Sequence, residues 1–164
     1  MLIATKSALG EFVHPGLIAT LRAAAAGLPG RSTLPRKLFI SRADSANRTY
    51  PHEGTIAETF RRHGFTPVTL GSLSVPEQLL AFREATHVAG LHGGGLVNLV
   101  WGQAPIEVFE LYLQSHFNSC YSSLSFSLGH AYRNQMLREG SAPTDLGGLW
   151  LENFSRTAGD ENPA

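Results

Sequence analysis

The chain has 164 residues, 43% of them hydrophobic, and thirteen basic side chains balance thirteen acidic ones to a net charge of zero. That length can bury one core, and the charge balance excludes a global field that would draw the chain to nucleic acid or to a membrane surface. A single cysteine, Cys120, excludes an internal disulfide framework, and no apolar run is long enough to span a bilayer.

Taken in chain order, Pro15 to Ala26 reads as a first helix, with proline near its start and Gly27 near its stop. Lys37 to Ser41 is a short apolar strand, and Arg42 to Tyr50 is a polar loop. Pro51 opens a helix that runs to about His63, before Gly64. Phe65 to Leu70 is a second strand. Ser74 caps a helix that has Pro76 in its first turn and ends near Ala85. His87 to Leu91 is a third strand, Gly94 to Trp101 a helix, and Ile106 to Leu113 a fourth strand. Asn118 to Leu128 is expected to be helical and Ala131 to Leu137 to form the last strand. Residues 1–138 thus make one domain, and residues 139–164 form a C-terminal extension rich in Gly, Pro, Ser and charge, expected to be partly disordered.

Strands alternating with helices predict an α/β fold, a Rossmann-like parallel sheet with helices on both faces. Ligands of such sheets bind beyond the carboxyl ends of the strands, and Arg42, His92 and Glu110 all fall near those ends.

The stretch Gly90-Leu91-His92-Gly93-Gly94-Gly95-Leu96-Val97-Asn98 reads as strand, glycine turn, helix. A turn of this kind leaves the first amides of the helix facing a crevice, backed by the helix dipole. Glycines with positive φ would let an anion approach the backbone closely. The spacing matches neither the dinucleotide fingerprint nor the P-loop, and a turn that only packs a helix on a strand is the plainer alternative. Arg42 and Arg48 flank a polar loop, and their planar guanidinium forks suit a diphosphate. Pairing of Arg42 with Asp44 or Glu53 is the competing expectation. Glu110, in an otherwise apolar strand, is placed to accept bonds from ribose hydroxyls, or else to be satisfied by a helix end. The chain has no Asp-x-Asp and no ligand-spaced His, Cys and carboxylate set, so no metal is expected.

In order, Leu38-Phe39-Ile40-Ser41-Arg42, Arg48, Arg62-His63-Gly64-Phe65, Pro76-Glu77-Gln78, Gly90 to Asn98, Val108-Phe109-Glu110-Leu111, Tyr121, and Leu128-Gly129-His130-Ala131-Tyr132 resemble the catalytic region of glycosyltransferase family 61. Two positions depart from the family pattern. His-Gly-Ala-Gly reads His92-Gly93-Gly94-Gly95 here, and the Asn-Glu after the paired arginines reads Pro51-His52-Glu53.

The resemblance implies the C-terminal, donor-binding domain of a GT-B enzyme, whose acceptor domain would be a separate N-terminal domain or subunit. It implies inverting transfer of a hexosyl or pentosyl group from a nucleoside-diphosphate sugar, UDP-linked by expectation, to a glycan or polysaccharide acceptor, with no cofactor required. Arg42, Arg48 and the amides of Gly93, Gly94, Gly95 and Leu96 would stabilise the leaving diphosphate. His92 would touch the donor's phosphate or sugar, and Asn98 and Glu110 would complete the donor site. A non-catalytic sugar-nucleotide or partner-binding remnant and a nucleotide-dependent oxidoreductase stay open as alternatives. The sequons at Asn47 and Asn153 matter only in a secretory lumen. The Ala/Gly/Arg-rich texture fits a bacterial cytoplasmic chain, whether free or peripheral to a membrane, better than a lumenal one.

Overall fold

A computed structural model of the chain describes residues 15–45, 50–115, 118–138, 146 and 151. Its elements are α1 (Pro15–Ala26), β1 (Lys37–Ser41), α2 (Glu53–Arg62), β2 (Thr66–Thr69), a 3₁₀ turn (Leu70–Ser72), α3 (Val75–Glu84), β3 (His87–Leu91), a 3₁₀-helix (Gly94–Trp101), β4 (Glu107–Leu113), α4 (Cys120–Leu128) and β5 (Ala131–Leu137). The strands form one sheet in the order β2-β1-β3-β4-β5, and every neighbouring pair is parallel. This is the α/β, Rossmann-like arrangement expected from the alternation of strands and helices.

Strands buried on both faces read as continuous apolar runs, and β1 and β3 do so. Alternate residues divide between two cores. Leu38, Ile40, Val88 and Val108 pack with Phe82, Leu99 and Leu124 on one face. Phe39, Ala89, Phe109 and Leu111 pack with Ile56 and Phe60 on the other. Phe60 is fully buried, with its ring centroid 5.1 Å from that of Phe39 and 5.3 Å from that of Phe65.

The helix boundaries follow local chemistry. Ser74 and Glu77 form a reciprocal capping box at the start of α3: the Glu77 amide donates to Ser74 Oγ at 3.4 Å, and the Ser74 amide donates to Glu77 Oε2 at 2.7 Å. Gly129 ends α4 in the left-handed region, with φ of 73°.

Four expected boundaries shift. α2 starts at Glu53, because Pro51 and His52 form the preceding turn. β2 is trimmed to Thr66–Thr69, with Leu70 opening the 3₁₀ turn, and β4 starts at Glu107. α4 starts at Cys120, whose amide is capped by Asn118 Oδ1 at 2.8 Å.

The segment Gly94–Trp101 is a 3₁₀-helix rather than an α-helix. Its buried Leu96 and Leu99 are three residues apart, as are its exposed Gly94 and Val97, and three residues per turn keep each pair on one side. Its C-terminal carbonyls are covered. Arg22 Nε donates to Val100 O at 2.9 Å and Arg22 Nη2 to Gly102 O, while His130 Nε2 donates to Leu99 O at 3.1 Å.

The sheet order places a topological switch between β1 and β3, since the chain leaves β1 toward β2 on one side and returns to β3 on the other. Open α/β sheets bind ligands outside the carboxyl ends of the strands that flank such a switch. Here those ends are Ser41-Arg42 and Leu91-His92-Gly93.

Candidate donor site at the sheet switch

A crevice of about 320 Å³ opens at that switch, lined by Ile40, Ser41, Arg42, Asp44, Ser45, Leu70, Leu91, Gly93, Gly94 and Gly95. Its first wall is the turn after β1. Glu53, the first residue of α2, accepts the Arg42 amide at 2.5 Å and the Ser41 hydroxyl at 2.8 Å, which fixes the chain as it leaves the strand. The Arg42 guanidinium then crosses the mouth of the switch. Nη1 donates to the His92 carbonyl, and Nη2 donates to Ser45 Oγ at 3.0 Å. Glu53 therefore meets the backbone of residue 42, so the expected side-chain pairing is replaced by a carboxylate brace. Asp44 adds a carboxylate to the wall, turned toward the Gly71 amide at 3.2 Å.

The second wall is the glycine turn, and its glycines act differently from the sequence expectation. None of Gly93, Gly94 and Gly95 lies in the left-handed region that the sequence expectation called for. Gly93 is extended (φ 173°), and a Cβ there would lie 3.0 Å from Arg42 Cζ, so the glycine makes room for the guanidinium. A Cβ at Gly95 would meet Leu70 Cδ1 at 2.9 Å, so that glycine seats the 3₁₀-helix on the sheet. Gly94 faces open space.

The Leu96 amide was expected to face the ligand and does not, because it donates to Gly93 O at 3.0 Å, closing the first 3₁₀ turn. The amides left at the helix start are those of Gly94 and Gly95, for which the described residues provide no acceptor.

Asn98 is also redirected. Its Nδ2 donates to Gly95 O at 3.2 Å and to Gln78 Oε1 at 3.4 Å, while its Oδ1 accepts from Trp101 Nε1 at 3.0 Å. With both ends of the amide engaged, Asn98 anchors the 3₁₀-helix to α3 rather than lining the crevice. Arg48 lies outside the described residues, as do the sequon asparagines and all of the C-terminal extension except Leu146 and Leu151.

Glu110 is the largest departure. It sits in the middle of β4, opposite Gly90 of β3 and Asn134 of β5, because the strand continues to Leu113. It has no exposed surface. Its Oε1 lies 2.5 Å from His92 Nδ1, and its Oε2 accepts from Tyr132 at 2.6 Å and from Tyr112 at 2.9 Å. A carboxylate sealed in this way has no face for a ribose, and the expected sugar contact is replaced by a bond to His92.

Each phenol has one proton: Tyr132 gives its own to Glu110, and that of Tyr112 is shared between Glu110 Oε2 and the Asn118 carbonyl at 2.6 Å, with the two phenol oxygens 3.0 Å apart. Burial raises the pKa of both phenols, and the nearby Glu110 carboxylate raises them further, so they stay protonated donors. The His92 ring stacks on Tyr112 at 5.1 Å and leans on Tyr121 at 5.3 Å. Sequence reasoning gave Tyr112 no role and considered Glu53 only as an alternative partner of Arg42. The signal available for Tyr112 was its period-two spacing from Glu110, which puts both on one face of β4.

The model of the family described as Glycosyltransferase 61 matches residues 1–109 of this chain. The chain belongs to glycosyltransferase family 61. The matched region contains the Arg42 turn and the whole glycine turn, so the crevice is built from family residues. It stops one residue short of Glu110, so the roles of Glu110, Tyr112 and Tyr132 rest on geometry alone. A comparison with curated proteins gives no match. As a family 61 member the chain is a glycosyltransferase, which sets aside the oxidoreductase alternative. Among the described residues, no helix is long and apolar enough to cross a membrane.

Proposed function

We propose that the crevice between β1 and β3 seats the diphosphate of a nucleoside-diphosphate sugar, and that the enzyme transfers the sugar with inversion to a glycan or polysaccharide acceptor. The observation that carries this is the convergence of the Arg42 guanidinium with the amides of Gly94 and Gly95 on one crevice at the sheet switch. Departure of a nucleoside diphosphate builds negative charge on the bridging oxygen. Donors already fixed around that position bind the transition state more tightly than the ground state. Arg42 is held from two sides, by Ser45 and by the His92 carbonyl, so little of its freedom remains to be lost when charge develops. In this reading, the guanidinium and the amides carry the leaving-group charge without calling on a metal ion.

The crevice volume lies at the small end of the range for small-molecule sites, roughly 300–1,000 Å³. That suits a wall that grips diphosphate and part of a nucleoside, with the sugar and the acceptor reaching beyond it. A UDP-linked hexose or pentose is the donor class we favour, by resemblance to the family.

A thermal-shift panel of nucleoside diphosphates and their sugar conjugates tests the proposal. A ligand at a hundred times its Kd should stabilise the fold by about 2.7 kcal/mol. Stabilisation by UDP and UDP-sugars, but not by uridine, is the expected pattern. No response to any diphosphate would refute the seat.

A further inference from the structure

Among the described residues, one linked set of polar side chains gathers around a buried carboxylate that the diphosphate seat does not use: Glu110, His92, Tyr112 and Tyr132. We propose that His92 is the proton acceptor for the incoming hydroxyl, with Glu110 as the positioning residue that keeps the lone pair on Nε2. The assignment of this role to the acceptor half of the reaction rests on the donor-site reading above.

The bonding pattern carries the inference. Tyr132 donates to Glu110 Oε2, and Tyr112 shares its one proton between that oxygen and the Asn118 carbonyl, so Oε1 is left for His92 Nδ1 at 2.5 Å. A carboxylate only accepts, so Nδ1 carries a proton, and in the neutral ring the lone pair is then on Nε2. No hydrogen-bond partner among the described residues meets Nε2. The His92 side chain is 12% exposed, whereas Glu110, on the Nδ1 side, is wholly buried. The exposed edge is therefore the one that carries Nε2. Tyr112 and Tyr121 hold the plane of the ring. Arg42 bonds the His92 carbonyl, so the group proposed to hold the leaving diphosphate also fixes the backbone of the proposed base.

In the transfer step, the acceptor oxygen bonds to the anomeric carbon as its proton passes to His92 Nε2. The bond from that carbon to the diphosphate oxygen breaks, and its electron pair leaves with the nucleoside diphosphate. Glu110 stabilises the imidazolium that results, and the proton then passes to solvent.

Glu110→Gln separates this role from packing. The Tyr132 hydroxyl, which can only donate there, holds the amide oxygen at the Oε2 position, so the amide NH₂ turns toward His92 Nδ1. Nδ1 must then accept, and the ring proton moves to Nε2. Long-range nitrogen–proton correlation on the ¹⁵N-histidine-labelled full chain reads the tautomer directly. Carbethoxylation by diethyl pyrocarbonate, mapped by mass spectrometry, reads the accessibility of the Nε2 lone pair. The wild type should show Nδ1–H and react at His92. Glu110→Gln should show Nε2–H and react at least tenfold more slowly. Tyr132→Phe, which keeps the carboxylate, should retain the wild-type tautomer, and UDP affinity should stay within twofold in both variants.

A wild-type His92 protonated on Nε2, or unreactive while the other histidines react, overturns the proposal, and neither result needs a folded variant. A tautomer that switches in Tyr132→Phe would mean that packing sets it, and UDP binding lost in Glu110→Gln would return the carboxylate to the nucleotide. Failure of the wild type to bind UDP, with the tautomer as stated, would refute the donor seat instead.

Discussion

Replacing Arg42 by alanine removes, among the described residues, its hydrogen bonds to the His92 carbonyl and to Ser45 Oγ, and takes one guanidinium from the crevice. The two effects separate in magnitude and in readout. Each internal bond contributes about 0.5–1.5 kcal/mol net, so the fold should lose roughly 1–3 kcal/mol in urea unfolding. A bond to a charged phosphate is stronger, about 1.5–3 kcal/mol, so UDP affinity should fall roughly ten- to 150-fold. Uridine lacks the diphosphate and should be nearly unaffected. Arg42→Lys keeps the charge but loses the fork that spans His92 and Ser45, and should fall between alanine and wild type. Isothermal titration of UDP and uridine into each variant, with circular dichroism to confirm folding, makes the comparison. A folded Arg42→Ala protein that binds UDP within twofold of wild type would show that the guanidinium only ties two loops together, and the diphosphate seat would lose its principal cation.

The glycine turn gives a contrasting pair. Gly94→Val points into open space and should fold normally while losing at least tenfold in UDP affinity, about 1.4 kcal/mol; unchanged affinity would show that the ligand does not approach this backbone. Gly93→Ala pushes on Arg42 and should reproduce the binding defect of Arg42→Ala, with little further loss when the two are combined. Additive losses would mean that the two positions act separately. His87 is held down to about 4, by burial first and then by the charges of Lys37 and Arg36, and burial also lowers His130. Both rings are neutral in the fold and take up protons more readily once unfolded. Stability should therefore be full above pH 6.5 and decline as pH falls toward 4, and melting curves across that window should show a shallower decline in His87→Asn than in wild type. Ser74→Ala dismantles the capping box of α3 and should cost about 1 kcal/mol in chemical denaturation without altering UDP affinity.

What the sequence determined by itself is what local chemistry controls. The apolar run Lys37–Ser41, the run His87–Leu91 and the terminal Ala131–Leu137 form strands with the expected bounds, and Ser74 caps its helix, because periodicity and capping act over a few neighbouring residues. The order of these elements pointed to a crevice at the strand ends, and the succession of motifs from Leu38 to Tyr132 pointed to the family. Tertiary structure decided which atoms face that crevice. Leu96 and Asn98 stand in the same motif as Gly94, yet their polar groups are consumed by the 3₁₀ turn and by α3. Glu110 read as a sugar contact because an acidic residue at the end of an apolar strand suits a ribose in nucleotide-binding α/β folds; a buried carboxylate needs some partner, and the sequence does not say which one. Its partners stand eighteen residues before it and two and twenty-two after it in the chain. Tyr112 shares its strand, but His92 and Tyr132 meet it only because β3 and β5 flank β4 in a parallel sheet, and that register of strands is a property of the folded chain and of no local segment.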